Sequence, residues 1–388
     1  MHYSSVKRVV NIVRNMTIKS ALNVAVNQLE ISRQSSMLRS LPQIVDVVLT
    51  KMCNLKCIFC KDYETSGDKY VSTRNFEMAA RQLFPTARLV SICSGGEPYL
   101  HRQLIDLLRI ARQYKVETWL LSNGMLLRED LIRAIITEEL ISRHGFSVDG
   151  IKASTVEAIR VRANFDVIIN NIKMLMRIRE KECKKKPSIV IRYALMYSNI
   201  IELPDAVQYW GEMGVDTLNC SYLSLCNNIA DQESLYFHQD LMKQIFNDAR
   251  EVASHYPHLT VNLPPPIDQE EPKLHTPIKC DWPWRFVMID TDGRVLPCYK
   301  SWGMISMGNL YGENGKLFKE LWNSSQYQYL RRSVNDNALH KHFSYCSVCE
   351  YRFGMGYKDA HLNDATWLDY IPEASEKARV IANRSRNR

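Results

Sequence analysis

The sequence predicts an α/β fold: a partial (β/α)6 barrel, open along one side, followed by a small C-terminal domain of β-hairpin and helix. Three observations carry this. From residue 44 onward, short apolar runs rich in β-branched residues alternate with stretches of helical spacing, which calls for a parallel sheet with crossover helices. Loops rich in Cys, Gly, Ser and Asn come directly after those runs, and in such sheets ligands collect at the carboxyl ends of the strands. Seven of the 11 cysteines fall into two spaced groups, one at 53–60 and one at 280–349.

Taken in order, residues 1–43 form an N-terminal helical segment. Val6, Val9, Val10 and Val13, then Ile18, Leu22, Val26 and Leu29, recur at helical spacing, and Thr17 and Ser20 are candidate helix starts. Interleaved basic residues allow a surface for a partner peptide or an anionic membrane, but the apolar spacing favours a helix packed on the barrel. The barrel is expected over 44–260. Its strands are Ile44–Leu49, Arg88–Ile92, Thr118–Leu121, Ser142–Val148, Ile189–Met196 and Asp216–Asn219. Its helices are Tyr99–Tyr114, Leu126–Thr137 and one long stretch, Ala153–Glu180; a lysine-rich turn runs to Pro187, and 230–258 is a further helix. Residues 261–277, proline-bearing and acidic, are a linker; 278–360 is the second domain and 361–388 a tail.

The 388 residues suffice for a large core and two domains, and 46% hydrophobic with 24% charged is ordinary globular composition. No apolar run reaches membrane-spanning length. Lys7, Arg8, Arg14 and Lys19 interrupt any secretory core, so a cytoplasmic protein is expected, in which cysteines serve metals or catalysis more than disulfides. The net charge of +8 suits an acidic electron carrier of flavodoxin or ferredoxin type. Without a basic, aromatic groove it makes no case for nucleic acid.

The loop after the first strand, Met52–Asp62, places Cys53, Cys57 and Cys60 in a Cys-x3-Cys-x2-Cys pattern. Three thiolates leave one iron of a 4Fe–4S cube without a protein ligand, an open position where a cofactor or substrate binds. Structural zinc would need a fourth ligand, and the loop offers no further Cys or His. Ser94-Gly95-Gly96-Glu97-Pro98 follows the second strand, with two glycines that allow close backbone approach and a carboxylate able to accept a cation. Ser122-Asn123-Gly124 follows the third strand. Ser147-Val148-Asp149-Gly150 follows the fourth, with Arg160 beyond it. Cys280, Cys298, Cys346 and Cys349 form a closed set of four, suited to zinc or to a fully ligated cluster, and Asp292-Gly293 turns a hairpin between them.

Met52–Asp62, down to Phe59, resembles the cluster motif of the radical S-adenosylmethionine (radical SAM) enzymes, and the likeness extends over roughly 44–360. It implies the same partial (β/α)6 TIM-like barrel, with a catalytic 4Fe–4S cluster on Cys53, Cys57 and Cys60. Phe59 and Asn123 would then line the S-adenosylmethionine site, Gly95, Gly96 and Glu97 hold the ammonium, and Ser147 and Arg160 the carboxylate and ribose. The C-terminal segment resembles the SPASM/twitch iron–sulfur extension. No cysteine follows Cys349, which implies one auxiliary 4Fe–4S cluster on Cys280, Cys298, Cys346 and Cys349 in place of two.

The expected chemistry is a 5′-deoxyadenosyl radical abstracting hydrogen from an unactivated carbon, followed by oxidation through the auxiliary cluster. The spacing is similar to that of a family dehydrogenase acting on a secondary alcohol, so dehydrogenation of a small sugar-like substrate is the first expectation. A ribosomal-peptide maturase forming a cross-link is an alternative. So is an epimerase, for which Cys220 or Cys226 would donate hydrogen. Cys93 is expected to pack in the barrel. A zinc-bearing binding module is the non-enzymatic alternative.

Overall fold

The computed structural model describes residues 16–60, 69–223, 233–265, 279–301, 305–311, 317–335 and 346. Its strands are β1 (Ile44–Val47), β2 (Lys56–Cys57), β3 (Leu89–Ile92), β4 (Glu117–Ser122), β5 (Arg143–Ser147), β6 (Arg160–Val161), β7 (Ser188–Leu195), β8 (Thr217–Tyr222), β9 (Thr260–Asn262), β10 (Phe286–Ile289) and β11 (Val295–Leu296). Nine of them form one sheet in the order β11-β10-β1-β3-β4-β5-β7-β8-β9, and β2 pairs with β6 apart from it. The six expected barrel strands are β1, β3, β4, β5, β7 and β8, parallel and adjacent in chain order. This is the mostly parallel sheet of a partial TIM-like barrel.

The sheet is longer than the six-strand reading. β9 adds a parallel strand beyond β8, entering the stretch read as linker. At the other edge β10 pairs in parallel with β1, and β11 returns antiparallel through a turn with Gly293 at φ 85°. The C-terminal hairpin is thus built onto the barrel sheet, closing an edge that would otherwise expose a row of unpaired backbone groups.

Side chains alternate across β1 as the pleat requires. Val45 and Val47 join Val90, Ile92 and Leu120 in the core under the helices. Val48, beyond the strand end, packs on the opposite side with Phe286, Met288 and Leu296. Helices α2 (Thr73–Leu83) and α3 (Leu104–Gln113) cover the first side with stripes at helical spacing, Phe76, Ala79, Ala80 and Leu83, then Leu104, Leu107, Leu108 and Ala111. Helix α4 is Glu129–Thr137. The long helix expected over 153–180 is broken into α5 (Ala153–Ile159) and α6 (Phe165–Lys181), with β6 between them. Asn164 caps α6 through its side chain, a start signal that the continuous apolar spacing masked. Helices α7 (Leu203–Met213) and α8 (Gln239–Ser254) complete the layer.

The N-terminal helix α1 (Ile18–Ser32), capped by Thr17, reverses the expected packing. Its inward face is polar. Ser20 Oγ donates to Ala87 O, and Asn23 Nδ2 to Leu41 O. Asn27 Nδ2 donates to Ser40 Oγ at 2.8 Å and Trp284 O at 2.7 Å, while its Oδ1 accepts from Gln43 Nε2 at 2.7 Å. The apolar residues read as the packing stripe face outward, with Ile18 80% and Leu22 62% exposed. Hydrogen bonds to otherwise orphaned loop carbonyls dock this helix, not apolar burial.

Asn27→Ala removes three buried hydrogen bonds and leaves the Trp284 carbonyl without its donor. We expect a loss of about 3 kcal/mol in urea unfolding. An unchanged midpoint would show that α1 is not docked through this face.

Candidate active site

The chain leaves β1 through Thr50 and Lys51 into the loop of Cys53, Cys57 and Cys60. Both sides of this entry are anchored. On one, Gly96 N donates to Thr50 O at 2.7 Å and Glu97 N to Met52 O at 2.8 Å. A Cβ at Gly96 would stand 1.8 Å from Met52 O, so the glycine there serves this backbone contact. On the other side, buried Lys51 Nζ lies 2.5 Å from Asp292 Oδ2 and 3.9 Å from Asp290 Oδ2, both in the C-terminal hairpin turn.

The far side of the loop is held by β2, antiparallel to β6, with Cys57 opposite Arg160. The break between α5 and α6 therefore sets Arg160 in place. Its Nη1 is 3.7 Å from Cys57 Sγ and its Nη2 2.7 Å from Asp149 Oδ2. The guanidinium lies 5.4 Å from the Phe59 ring centroid. Arg160 Nε is buried with no hydrogen-bond partner among the described residues. Burial pushes the Cys57 thiol up, and the nearby Arg160 charge opposes it.

Glu97 is fully enclosed. It accepts from Ser122 Oγ at 2.8 Å, Asn123 N at 2.7 Å and Tyr99 N at 3.2 Å. Burial nevertheless pushes its carboxyl up to about 7. Asn123 Nδ2 donates to Asn54 Oδ1 at 2.8 Å and lies 3.9 Å from Cys53 Sγ. Glu97 and Asn123 together brace the turn after β4 against the cysteine loop. Glu97 is therefore engaged with this chain's own groups at the position where the sequence led us to expect an ammonium site.

Among the described residues, no three metal-ligating side chains converge on one point. In a cubane each thiolate takes a different iron, so its three sulfurs need not converge. Three cysteines on one loop, an orphaned buried Nε beside Cys57, and strand-end turns braced against the loop fit a cluster with an anionic ligand alongside. Ser147 ends β5 half-buried, in register with Arg192 of β7 and, one strand on, Asn219 of β8. Arg192, half-buried, makes no ion pair among the described residues, and its charge reaches the Cys93 thiol.

The auxiliary set is seen in part. The Cys280 backbone is clasped by Asn335, whose Oδ1 accepts from Cys280 N at 2.7 Å and whose Nδ2 donates to Cys280 O at 3.1 Å. Cys298 follows β11, Cys346 is buried in the main core, and Cys349 lies outside the described residues. Cys220 is buried beside its register neighbour Tyr193, in the core between sheet and helices. That placement does not bring its thiol to the cysteine loop. Cys226 lies outside the described residues. Cys93 is half-exposed immediately after β3, next to the Gly95–Glu97 turn.

Sequence reasoning passed over Asp46. It is wholly buried, and its Oδ2 accepts from Ser91 Oγ at 2.8 Å and from Tyr299 OH at 2.9 Å. Its Oδ1 has no hydrogen-bond partner among the described residues. A lone aspartate inside the apolar run Ile44–Leu49 was the available signal. Through Tyr299, the residue after Cys298, the second cysteine group reaches the barrel wall.

The family model for the radical SAM superfamily matches residues 47–209, and that for an iron–sulfur cluster-binding domain, SPASM, matches 280–350. A tungsten-containing aldehyde ferredoxin oxidoreductase cofactor-modifying protein of Pyrococcus furiosus is 24% identical over 77% of this chain and 86% of its own. The antilisterial bacteriocin subtilosin biosynthesis protein AlbA of Bacillus subtilis is 23% identical over 82% of this chain and 69% of its own. Among solved structures, Streptococcus suis SuiB bound to S-adenosylmethionine is similar at TM-score 0.64 and 16% identity, covering 81% of this chain and 72% of that one. The structure of anSMEcpe with bound AdoMet is similar at TM-score 0.57 and 15% identity, covering 89% and 100%. No helix among the described residues is long and apolar enough to cross a membrane.

Burial pushes the Asp46 carboxyl up from 3.8 to about 6, against its hydrogen bonds from Ser91 and Tyr299. The folded chain thus holds this proton more tightly than the unfolded one. Its contribution to stability is whole below pH of about 4 and is lost as pH rises through about 6. Over that window we expect Asp46→Asn to gain about 3 kcal/mol relative to the parent, read from paired urea melts. Parallel pH profiles would show that Asp46 ionises freely.

Proposed function

Because the chain is a radical SAM enzyme with a C-terminal auxiliary iron–sulfur domain, we propose that it carries out a two-electron oxidation at an unactivated carbon of a peptide-derived substrate, as a maturase. When bound, the first cluster with S-adenosylmethionine supplies hydrogen-atom abstraction from carbon, and the auxiliary cluster supplies an electron acceptor. The residues that would hold the first pair are Cys53, Cys57 and Cys60 for the cluster. Arg160, whose Nε has no partner among the described residues, Ser147 and the Gly95–Glu97 turn would hold the S-adenosylmethionine. Cys280, Cys298, Cys346 and Cys349 would hold the auxiliary cluster. A ferredoxin- or flavodoxin-type protein would deliver the electron.

The observation that carries the oxidative reading is the Tyr299–Asp46 hydrogen bond, with β10 paired to β1. It ties the segment of Cys298 to the first barrel strand, so a cluster held by Cys298 would lie near the barrel. Asp46, buried and with its carboxyl pushed up by burial, would be suited to receive the proton released as the substrate loses an electron. Arg192, which makes no ion pair among the described residues and lies in register with Ser147, would hold an acidic group of the substrate.

A peptide-derived substrate is favoured over a sugar-like alcohol by two supports. One is the likeness to a bacteriocin biosynthesis protein over most of both chains. The other is that Arg192 and Asn219, register partners on β7 and β8 in line with Ser147, are only half-buried and offer polar groups to an extended ligand. The sugar-alcohol dehydrogenase reading rests on the cysteine spacing, and the likeness to a cofactor-modifying protein leaves room for a non-peptide substrate.

After anaerobic reconstitution we expect about eight irons per chain. Cys57→Ala should abolish reductive cleavage of S-adenosylmethionine. Cys298→Ala should keep that cleavage, fall to about four irons, and lose product oxidation. Cleavage surviving in Cys57→Ala would overturn the assignment of the catalytic loop. With a candidate precursor peptide in deuterium oxide, solvent label at the reacting carbon would show epimerisation in place of oxidation.

A further inference from the structure

The outward face of α1 is unusual in composition. Ile18, Leu22, Val26 and Leu29 are 80%, 62%, 38% and 55% exposed and fall within about 80° of the helix circumference. Ala25 is exposed among them, and Met37, in the turn that follows, is 65% exposed. The opposite face is committed, because Ser20, Asn23 and Asn27 hold it to the barrel by hydrogen bonds. The helix cannot turn its apolar side inward without breaking them, and among the described residues nothing covers that side. A continuous stripe of this kind differs from scattered exposed leucines, which need no explanation.

Charge identifies the partner's chemistry. The first 40 residues hold six basic side chains and one acidic, a net +5 out of the whole chain's +8. The one acid, Glu30, is half-buried and accepts from Arg39 N at 2.7 Å and Ser40 N at 3.3 Å. Lys19 and Arg33 are exposed at the margin of the stripe and form no ion pair among the described residues. An apolar stripe rimmed by unpaired cations, on a helix lying along the molecular surface, matches the interfacial boundary of an anionic bilayer: acyl chains receive the leucines, and lipid phosphates the cations. We propose that α1 is a docking surface for an anionic lipid membrane, holding the enzyme at the bilayer without a span.

The test uses the full-length, reconstituted protein in sedimentation with vesicles of phosphatidylcholine alone or mixed with phosphatidylglycerol. Binding is expected only to the mixed vesicles and should weaken with salt. Leu22→Glu/Leu29→Glu should reduce it by at least about tenfold while S-adenosylmethionine cleavage stays at the parent level. Lys19→Glu/Arg33→Glu, which leaves the apolar stripe intact, should reduce it similarly. Absence of binding to mixed vesicles overturns the proposal. So does a parent dimer that Leu22→Glu/Leu29→Glu converts to monomer, which would assign the face to a second copy. Binding that appears only after residues 1–15 are deleted would also overturn it, assigning the face to that segment.

Discussion

One strand, Ile44–Val47, is hydrogen-bonded on both edges, to β3 of the barrel and to β10 of the C-terminal region. The loops of the candidate active site are referred to it. The cysteine loop leaves its carboxyl end, and the Gly95–Glu97 turn leaves the end of its neighbour on one side. The Asp290–Gly293 turn leaves the end of its neighbour on the other. Because neighbouring strands lie about 5 Å apart, three loops that are distant in sequence must meet. The buried Lys51–Asp292 pair then locks the loop to the hairpin. An ion pair this deep adds little net stability, yet losing one partner strands a buried charge, which makes it a strong constraint on register.

A second buried charge system stands on the other side of the loop. Asp149 and Arg160 are both enclosed, at 2.7 Å, and Arg160 also faces Cys57 and Phe59. Such a pair is tolerated where its remaining polar atoms find partners. Arg160 Nε does not find one among the described residues, which leaves it available to the anionic ligand proposed above. On the C-terminal side, Arg331 is a purely structural cation. It donates to Pro283 O and Ser36 O and stacks on Trp322 and Tyr327, tying the last described helix to the turn after α1.

Much of the site was legible in the residue order because its chemistry is local. Cys53, Cys57 and Cys60 need only one loop, and Gly96 stands where backbone must approach backbone. The register of apolar runs was enough to name six barrel strands. The errors have one source: periodicity reports which residues alternate but not what lies opposite them. It joined α5 and α6 into one helix, hiding the extended pair Arg160–Val161 that meets Cys57. It also turned α1 the wrong way round, since the loop carbonyls that Asn23 and Asn27 satisfy come from segments far along the chain.

The sequence by itself determined the family, the alternation of strand and helix, and the two cysteine groups, because short-range spacing encodes all three. Only the tertiary structure decided that the segment of Cys298 is tied to the barrel through Tyr299 and Asp46, that Cys220 lies in the helix-side core, and that α1 shows its apolar face to the outside. Each of these depends on hydrogen bonds or strand pairing between residues as many as about 250 positions apart, whose free energy appears only when the sheet has assembled.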